Sequence, residues 1–153
     1  MIPTVVLRWS NRLEVALARR FGWSIVSRVL GVDVAVLETV GATTGTRRRS
    51  IVAWTNGPDG DLLIGGGAGG RSQVPDWVAN LRSTPEARLT IARRTHDAIA
   101  REPTGDERSR ALEITFREWP FAADYESRSG RPIPVFLLRQ SDGSTDLLTR
   151  VHG

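Results

Sequence analysis

The order of apolar and polar positions divides the chain into two parts. Residues 11–30 repeat apolar side chains every three to four positions, as one face of an amphipathic helix does, and Gly31 follows as a helix stop. After this segment, short β-rich runs bounded by turn residues follow one another closely. We therefore expect an N-terminal helical segment, residues 1–32, and a mainly β domain, residues 33–153.

Six runs in the second part are typical of strands. They are residues 34–40, 50–56, 61–65, 87–92, 95–101 and 133–140. Tight turns join most of them, including GPDG at 57–60 and the pair Arg93-Arg94. Parallel strands would need long helical crossovers at these places, so the spacing favours an antiparallel sheet or a small barrel.

Two helices are predicted between the strands. Asp76 suits the first turn of a short helix that ends at Arg82. Thr104 followed by Glu107 predicts a capping box for a second helix, which Pro120 would end. The predicted fold is thus α+β and mainly β, with six strands in an antiparallel sheet or small barrel, an N-terminal amphipathic helix and two inserted helices.

The composition excludes several kinds of chemistry. The chain has 153 residues, 40% of them hydrophobic and 25% charged, as in a soluble globular protein. It has no Cys and only two histidines, His96 and His152, so thiol redox chemistry, a metal site and a Ser-His-Asp triad are not expected. No apolar run reaches the roughly 20 residues that span a bilayer. We expect a cytoplasmic protein.

All basic residues are arginines, and the net charge is +4. The excess of Arg fits either codon bias or a preference for anionic ligands, which guanidinium groups bind in a bidentate manner. A nucleic-acid partner is not predicted, because the arginines are scattered and lack interleaved aromatics. The N-terminal helix carries Arg12, Arg19, Arg20 and Arg28, so it could lie on an anionic membrane or pack on the core.

Two loops are candidates for ligand binding. TVGATTGTRRRS, residues 39–50, is rich in Gly and Thr and ends in three arginines, so it is either an anion site or a basic turn. GGGAGG, residues 65–70, would let a ligand approach the backbone closely, or would form a surface loop. Its formal G-x-G-x-x-G pattern does not indicate a dinucleotide-binding domain, because the strands around it alternate with turns.

These motifs occur in an order that resembles the deazaflavin (F420)-dependent nitroreductase family. The resemblance extends from about Leu37 to Leu138. It includes the segments RSTPEARLTI and WPFAADYESRSGRPIPVFLL. The matching positions are Leu37, Thr39, Gly41, Thr44, Gly45, Arg48, Gly69, Gly70, Pro75, Trp77, Asn80 and Leu81.

The resemblance implies a split β-barrel of the flavin-reductase type that binds coenzyme F420. Such a protein passes a hydride from the reduced deazaflavin to a quinone, a nitroaromatic compound or an activated enone. The anion at the first loop would be the cofactor's phosphate and oligoglutamate tail. Tyr125 would be the catalytic residue, donating a proton or hydrogen bond, and Ala53 and Trp119 would line the substrate side with it. The implied cofactor residues are Thr43, Thr44, Gly45, Arg48, Gly65, Gly66, Gly69, Gly70, Trp77 and Asn80.

The chain departs from the family pattern at cations that contact the cofactor. Ala42-Thr43 stand where the family usually has Arg-Lys, and Ala68 stands where a Lys is common. An alternative is therefore a split-barrel binding protein for FMN, haem or a fatty acid that has lost affinity for F420. A monomer and a homodimer both stay open at this point, because barrel edges in such folds are often covered by a partner. Cations near enough to substitute are Arg47, Arg49 and Arg71.

Overall fold

The computed structural model describes residues 33–66 and 74–141 of the chain. The predicted N-terminal helix, the loop glycines Gly69 and Gly70, and Arg71 lie outside these residues. The strands are β1 Val34–Val40, β2 Arg47–Asn56, β3 Leu62–Gly65, β4 Glu86–Ile91, β5 Arg94–Arg101 and β6 Val135–Gln140, and the helices are α1 Asp76–Ser83, α2 Gly105–Glu118 and α3 Phe121–Ser129. No helix in these two segments is long and apolar enough to cross a membrane.

The six strands close into a barrel in the order β1-β2-β3-β6-β5-β4. Every neighbouring pair is antiparallel. This confirms the predicted six-stranded antiparallel barrel. The largest difference in a strand boundary is at β2, which begins at Arg47 and not at residue 50. The three arginines therefore belong to the strand, because they pair with the end of β1 across the hairpin.

Alternation along the strands produces two separate cores. Side chains that point into the barrel, such as Leu37, Leu89 and Phe136, pack with Trp77 of α1. The outer faces of β2, β3 and β6 are apolar as well, and α2 and α3 cover them. Both faces of β3 and β6 are buried, which explains why their sequences are continuously apolar and do not alternate.

The β4–β5 hairpin turns at Ala92-Arg93, one residue before the predicted Arg93-Arg94 turn. Both residues have positive φ, 49° for Ala92 and 68° for Arg93. Two successive left-handed residues are typical of the type I′ turn, whose twist matches that of the flanking strands. The usual Asn-Gly signal of that turn is missing, so the sequence did not locate it.

The second helix begins where predicted, but the capping box is wrong. Thr104 is the N-cap by backbone geometry and makes no side-chain cap hydrogen bond. The Glu107 carboxylate instead accepts a hydrogen bond from Arg101, at 2.6 Å. The third helix was not predicted, because Pro120 indicated a stop. Proline lacks a backbone N–H, but the first residues of a helix do not need that donor. Pro120 can therefore also precede a helix, and α3 begins immediately after it.

A buried carboxylate joins α2 to the barrel. Asp61 is 3% exposed and accepts hydrogen bonds from Arg101 and Arg139. Arg101 also binds Glu107 of α2. The pKa of Arg101 is raised by its hydrogen bond to Glu107, which outweighs the opposing effect of partial burial and is reinforced by Asp61. These contacts fix α2, and hence Trp119 and α3 beyond it, against β3 and β6.

Candidate cofactor site

The β1–β2 hairpin extends beyond its neighbours in the barrel. β2 pairs with β3 only from Ala53 to Asn56, whereas its pairing with β1 continues to Arg47. Among residues 33–66 and 74–141, no strand pairs with residues 47–52 of β2 on the side facing β3. An unpaired strand edge offers backbone N–H and C=O groups to another molecule. This edge is the first candidate for a binding groove.

The three arginines of β2 point to two different faces. Arg47 and Arg49 point outward and donate hydrogen bonds to Glu38, at 2.9 Å and 3.1 Å. Arg48 lies opposite Thr39, on the face that continues the barrel interior. Within the described parts of the chain, Arg48 has no hydrogen bond or ion pair. Arg48 is therefore the arginine of the three that can bind an external anion without first giving up a carboxylate.

Glu38 shows how strongly its two arginines are engaged. Burial opposes ionisation of this carboxyl group, but the hydrogen bonds and charges of Arg47 and Arg49 outweigh it and lower the pKa of Glu38. Glu38 is thus a carboxylate at neutral pH. Glu38 already holds both guanidinium groups, so Arg47 and Arg49 would have to share or leave that carboxylate to replace the missing family cations, and this replacement stays a prediction.

The loop between β1 and β2 is a tight, exposed turn. Gly41 N–H donates to Thr46 O at 2.7 Å, and Gly45 N–H donates to Gly41 O at 2.9 Å. Gly45 has φ of 70°, a conformation that side chains disfavour. Thr44 shares a hydrogen bond with the Thr46 hydroxyl at 2.7 Å, whereas Thr43 is exposed. Thr44 Oγ1 and Arg48 Cγ both lie near Gly41, at 2.8 Å and 3.8 Å from the position of a Cβ on that residue, and a shared anion site of the turn and Arg48 stays a prediction.

Two predicted cofactor residues on α1 are buried within the protein. Trp77 is 3% exposed, and its ring meets Phe136 edge-on at 5.7 Å in the barrel core. Asn80 is 6% exposed and bonds the β1–β2 region: its Oδ1 accepts from Ala42 N–H at 2.9 Å, and its Nδ2 donates to Thr39 Oγ1 at 3.0 Å. The described contacts of both side chains are with the protein, and their contact with a cofactor stays a prediction.

The three predicted substrate residues meet in one cluster on the outer face of the barrel. Ala53, Trp119 and Tyr125 are 6%, 2% and 3% exposed and pack together with Leu63 and Val135. The Tyr125 hydroxyl is the one buried side-chain polar atom, among the residues described, that has no hydrogen-bond partner. A buried hydroxyl without a partner is costly. It is therefore a candidate group for a ligand or substrate.

Gly65 and Gly66 lie at the junction of this cluster and the groove. Gly65 pairs with Ala53, the residue where β2 loses its β3 partner. The Trp119 indole lies on Gly65, so close that a Cβ on Gly65 would be 2.5 Å from Cζ3 of that ring. Gly66 has φ of 146°, which only glycine adopts readily. The Trp119 ring thus requires glycine at position 65, and the backbone conformation favours glycine at position 66.

The distance between the two ends of the groove limits the kind of ligand. Arg48 and Ala53 are five residues apart on β2, which corresponds to about 17 Å along an extended strand. A compact anion could reach the Arg48 end only. A ligand that occupies both ends must be elongated, with a flat or small group near Gly65 and Gly66 and an anionic group near Arg48. The candidate groove along the β2 edge of this barrel is therefore suited to a long cofactor with an acidic tail.

Comparison with known proteins identifies the family. The sequence model of the F420H(2)-dependent quinone reductase family matches residues 9–140, so the chain belongs to this family. It is 27% identical over 131 residues to the F420H(2)-dependent quinone reductase Rv1261c of Mycobacterium tuberculosis, covering 83% of this chain and 87% of that protein. The same figures hold for the putative F420H(2)-dependent quinone reductase Mb1292c of Mycobacterium bovis.

The solved structure of the F420-H2 dependent reductase FDR-A superposes with a TM-score of 0.60 at 25% identity, covering 70% of this chain and 94% of that one. A haem-binding protein of Mycobacterium smegmatis shares the fold, with a TM-score of 0.52 at 21% identity and coverage of 74% of this chain and 49% of that one. Family membership confirms the predicted class, an oxidoreductase, and the predicted cofactor, coenzyme F420.

Sequence reasoning gave no role to Thr39, which the structure places at the centre of the Asn80 contacts. One signal was present but was not used: Thr39 lies two residues after Leu37 and four after Ala35 on β1, so its polar side chain falls on the strand face that points into the barrel. Asp61 was missed because its partners, Arg101 and Arg139, are distant in sequence. Among the described residues, no three His, Cys, Asp or Glu side chains form a cluster that could hold a metal ion.

Proposed function

We propose that this protein transfers a hydride from reduced F420 to a quinone, and that nitroaromatic compounds and activated enones are further acceptors. The observation that carries the proposal is the β2 edge that no strand pairs with among residues 33–66 and 74–141, with Arg48, which has no partner among these residues, at one end and Gly65-Gly66 at the other. Membership of the F420H(2)-dependent quinone reductase family supports it. The residues at both ends match the parts of an elongated, acidic cofactor.

The Arg48 end would hold the phosphate and acidic tail of the cofactor. A guanidinium group binds such oxygens through two parallel hydrogen bonds, and each charged hydrogen bond contributes about 1.5–3 kcal/mol. Thr43 and Thr44 lie on the β1–β2 turn, which Arg48 follows in β2, and their hydroxyl groups can add contacts to the cofactor's acidic groups. Because Ala42 and Thr43 stand in place of cations, Arg48 carries a larger share of the affinity than in relatives with the Arg-Lys pair.

At the other end, bare backbone at Gly66 would let the flat deazaflavin ring approach the barrel closely, beside Gly65, which the Trp119 indole covers. When bound in its reduced form, F420 supplies the hydride. The protein's task is to position the acceptor and to exclude water, which needs no charged catalytic group. Ala53 and Trp119 provide an apolar surface for this purpose.

Tyr125 would donate a hydrogen bond or a proton to the oxygen of the acceptor that gains negative charge. Its hydroxyl has no partner among the described residues and is therefore free for this role. Because Tyr125 is only 3% exposed, α3 must shift for an acceptor to reach it. The quinone would gain the hydride and one proton, and would leave as the quinol.

The proposal is tested by titrating the purified protein with F420 and following fluorescence quenching. The wild-type protein should saturate at micromolar cofactor. Arg48→Gln should weaken binding at least about tenfold, which corresponds to ~1.4 kcal/mol. Arg49→Gln is the matched control: it removes an adjacent guanidinium that points to the other face and is bound to Glu38, so the affinity should change by less than about twofold.

A different result would favour the alternative. No quenching by F420, together with saturable absorbance changes on adding FMN or haem, would indicate a split-barrel binding protein with another ligand. Equal losses of affinity in Arg48→Gln and Arg49→Gln would remove Arg48 from the anion site. If F420 binds, steady-state reduction of a quinone, a nitroaromatic compound and an enone by F420H2 then ranks the three acceptor classes.

Two further parts of the proposal concern assembly and location. A basic helix over residues 11–30 would bring the protein to the cytoplasmic membrane surface, where lipid-soluble quinones are found. Flotation with anionic liposomes should be lost when residues 1–30 are deleted. A homodimer would give a doubled mass in light scattering, whereas a monomeric mass at all concentrations would contradict it.

A further inference from the structure

We infer that Asn80 controls cofactor affinity without touching the cofactor, by holding the β1–β2 loop in its binding conformation. This inference rests on the proposed function and refines it, because the resemblance places Asn80 among the residues that bind the cofactor. The structure shows both ends of its carboxamide in contact with the protein. Oδ1 accepts from Ala42 N–H at 2.9 Å, and Nδ2 donates to Thr39 Oγ1 at 3.0 Å.

These two bonds connect parts of the chain that are distant in sequence. Asn80 is 38 residues from Ala42 and 41 residues from Thr39. Asn80 is 6% exposed and Thr39 is 2% exposed, so water cannot easily replace the bond between them, whereas the bond to Ala42 is only partly buried. A buried amide that loses its partners is costly, so the arrangement is strongly specified. α1 and the end of β1 therefore hold each other in one orientation.

The position of these bonds links Asn80 to the anion site. Ala42 is the first residue of the turn that carries Thr43 and Thr44, and Thr39 is the register partner of Arg48. Most of the rest of that turn is exposed, and its other bonds to described residues lie within the turn, such as Gly41 N–H to Thr46 O. Asn80 is thus the described side chain that fixes both the start of the turn and the strand position opposite Arg48.

Preorganisation explains why such an anchor changes affinity. A loop that is already ordered loses less conformational entropy when it binds a ligand. The effect should be confined to ligands that use the loop. Asn80 is therefore a positioning residue for the anionic part of the cofactor, and the deazaflavin ring end, about 17 Å away along β2, should not respond.

The test measures the affinity of the folded protein for two ligands and the hydrogen exchange of one backbone amide. The ligands are F420 and the deazaflavin riboside that lacks the phosphate and glutamate tail. The amide is that of Ala42, whose hydrogen exchange is followed by NMR without any ligand. In Asn80→Ala, exchange at Ala42 should become at least about tenfold faster, and the Kd for F420 should rise about tenfold, which corresponds to ~1.4 kcal/mol. The Kd for the riboside should stay within about twofold.

Thr39→Val serves as the second variant if Asn80→Ala folds poorly. This substitution keeps the volume of the side chain and the Asn80–Ala42 bond but removes the acceptor for Nδ2. Hydrogen exchange at Ala42 should therefore be about threefold faster, and the Kd for F420 about threefold higher. Thr90→Val is the matched control, because Thr90 pairs with Thr95 on another part of the barrel. Neither the Ala42 exchange nor either Kd should change in it.

Three outcomes would overturn the inference. Unchanged exchange at Ala42 in Asn80→Ala and Thr39→Val would show that Asn80 does not anchor the loop. An equal loss of affinity for the riboside would indicate a direct contact with the ring. Faster exchange at Ala42 with unchanged F420 affinity would show that the anchored loop is irrelevant to binding. Failure of the wild-type protein to bind F420 would instead contradict the proposed function, while the exchange measurement still reports on the anchor.

Discussion

The indole of Trp119 lies against the Cα of Gly65, so that a Cβ there would be 2.5 Å from Cζ3 and 3.2 Å from Cη2 of the ring. Trp119 follows the last residue of α2, and Gly65 is the last residue of β3. The ring is also stacked on Phe121, with centroids 6.0 Å apart. This contact joins the predicted ring end of the cofactor groove to the helices that carry the predicted substrate residues.

We expect Gly65→Ala to destabilise the protein by about 3 kcal/mol, because Trp119 is 2% exposed and has little room to move away. Urea unfolding measures the change. Gly105→Ala is the control: Gly105 has φ of 58° but nothing within 4 Å, so only backbone strain of about 1 kcal/mol applies. If Trp119→Leu does not relieve the cost of Gly65→Ala in the double variant, the contact is not its cause.

Tyr125→Phe should separate function from stability. Removing a buried hydroxyl that has no partner should leave the free energy of unfolding unchanged or raise it by about 1 kcal/mol. Acceptor reduction should fall by about tenfold or more, while the Kd for F420 changes by less than about twofold. Unfolding curves, quinone reduction and the cofactor titration provide the three measurements. Parallel losses in all three would assign Tyr125 a structural role only.

Asp61→Asn should destabilise the barrel by about 2 kcal/mol. The substitution leaves Arg101 and Arg139 without their shared carboxylate, and breaking a buried pair costs about 3–5 kcal/mol. The smaller value is expected because the two arginine side chains are 40% and 60% exposed and can be rehydrated. Asp97→Asn is the control, since Asp97 is exposed beside Arg88 and should contribute less than about 1 kcal/mol. If thermal unfolding shows the same destabilisation for Asp61→Asn and Asp97→Asn, burial of Asp61 is not the cause of its larger expected contribution.

Glu38→Gln should reduce stability at pH 7 but not in acid. The lowered pKa of Glu38 means that its ionised form stabilises the folded state above the unfolded pKa of about 4.3. This contribution is lost as the pH falls through the lower, folded pKa. The difference between wild type and Glu38→Gln should be about 1 kcal/mol at neutral pH, because both arginines are largely exposed. Denaturant unfolding measured across acidic pH checks this expectation. A difference between the two proteins that does not change with pH would show that ionisation of Glu38 is not the source of the stabilisation.

Most of the fold could be predicted because its signals are local. β4 shows strict alternation, and the GPDG turn separates β2 from β3, so the strands were located within three residues. α3 was missed because Pro120 stops one helix and permits the next, and no local signal distinguishes the two cases. The β4–β5 turn was misplaced by one residue, because Ala92 and Arg93 lack the usual sequence of a type I′ turn.

The candidate site shows the same division between local and distant information. The sequence placed Arg47, Arg48 and Arg49 in one loop and treated all three as candidate cations. The structure separates them, because strand pairing alternates side chains between two faces and Glu38 occupies one of those faces. Odd and even positions of a strand point to opposite faces, so residue number alone could have assigned the three arginines to two faces. It could not show which of these faces holds a carboxylate.

By itself, the sequence determined the barrel's strands, the chemistry that is excluded and the family to which the motifs belong, because each depends on residue type and short-range order. Only the tertiary structure decided that Arg48 has no partner in the described part of the chain, that Asn80 bonds Thr39 and Ala42, and that Trp119 covers Gly65. Those contacts join residues tens of positions apart. Their distances are set when the barrel closes and the helices pack on it, and no local pattern in the chain encodes that closure.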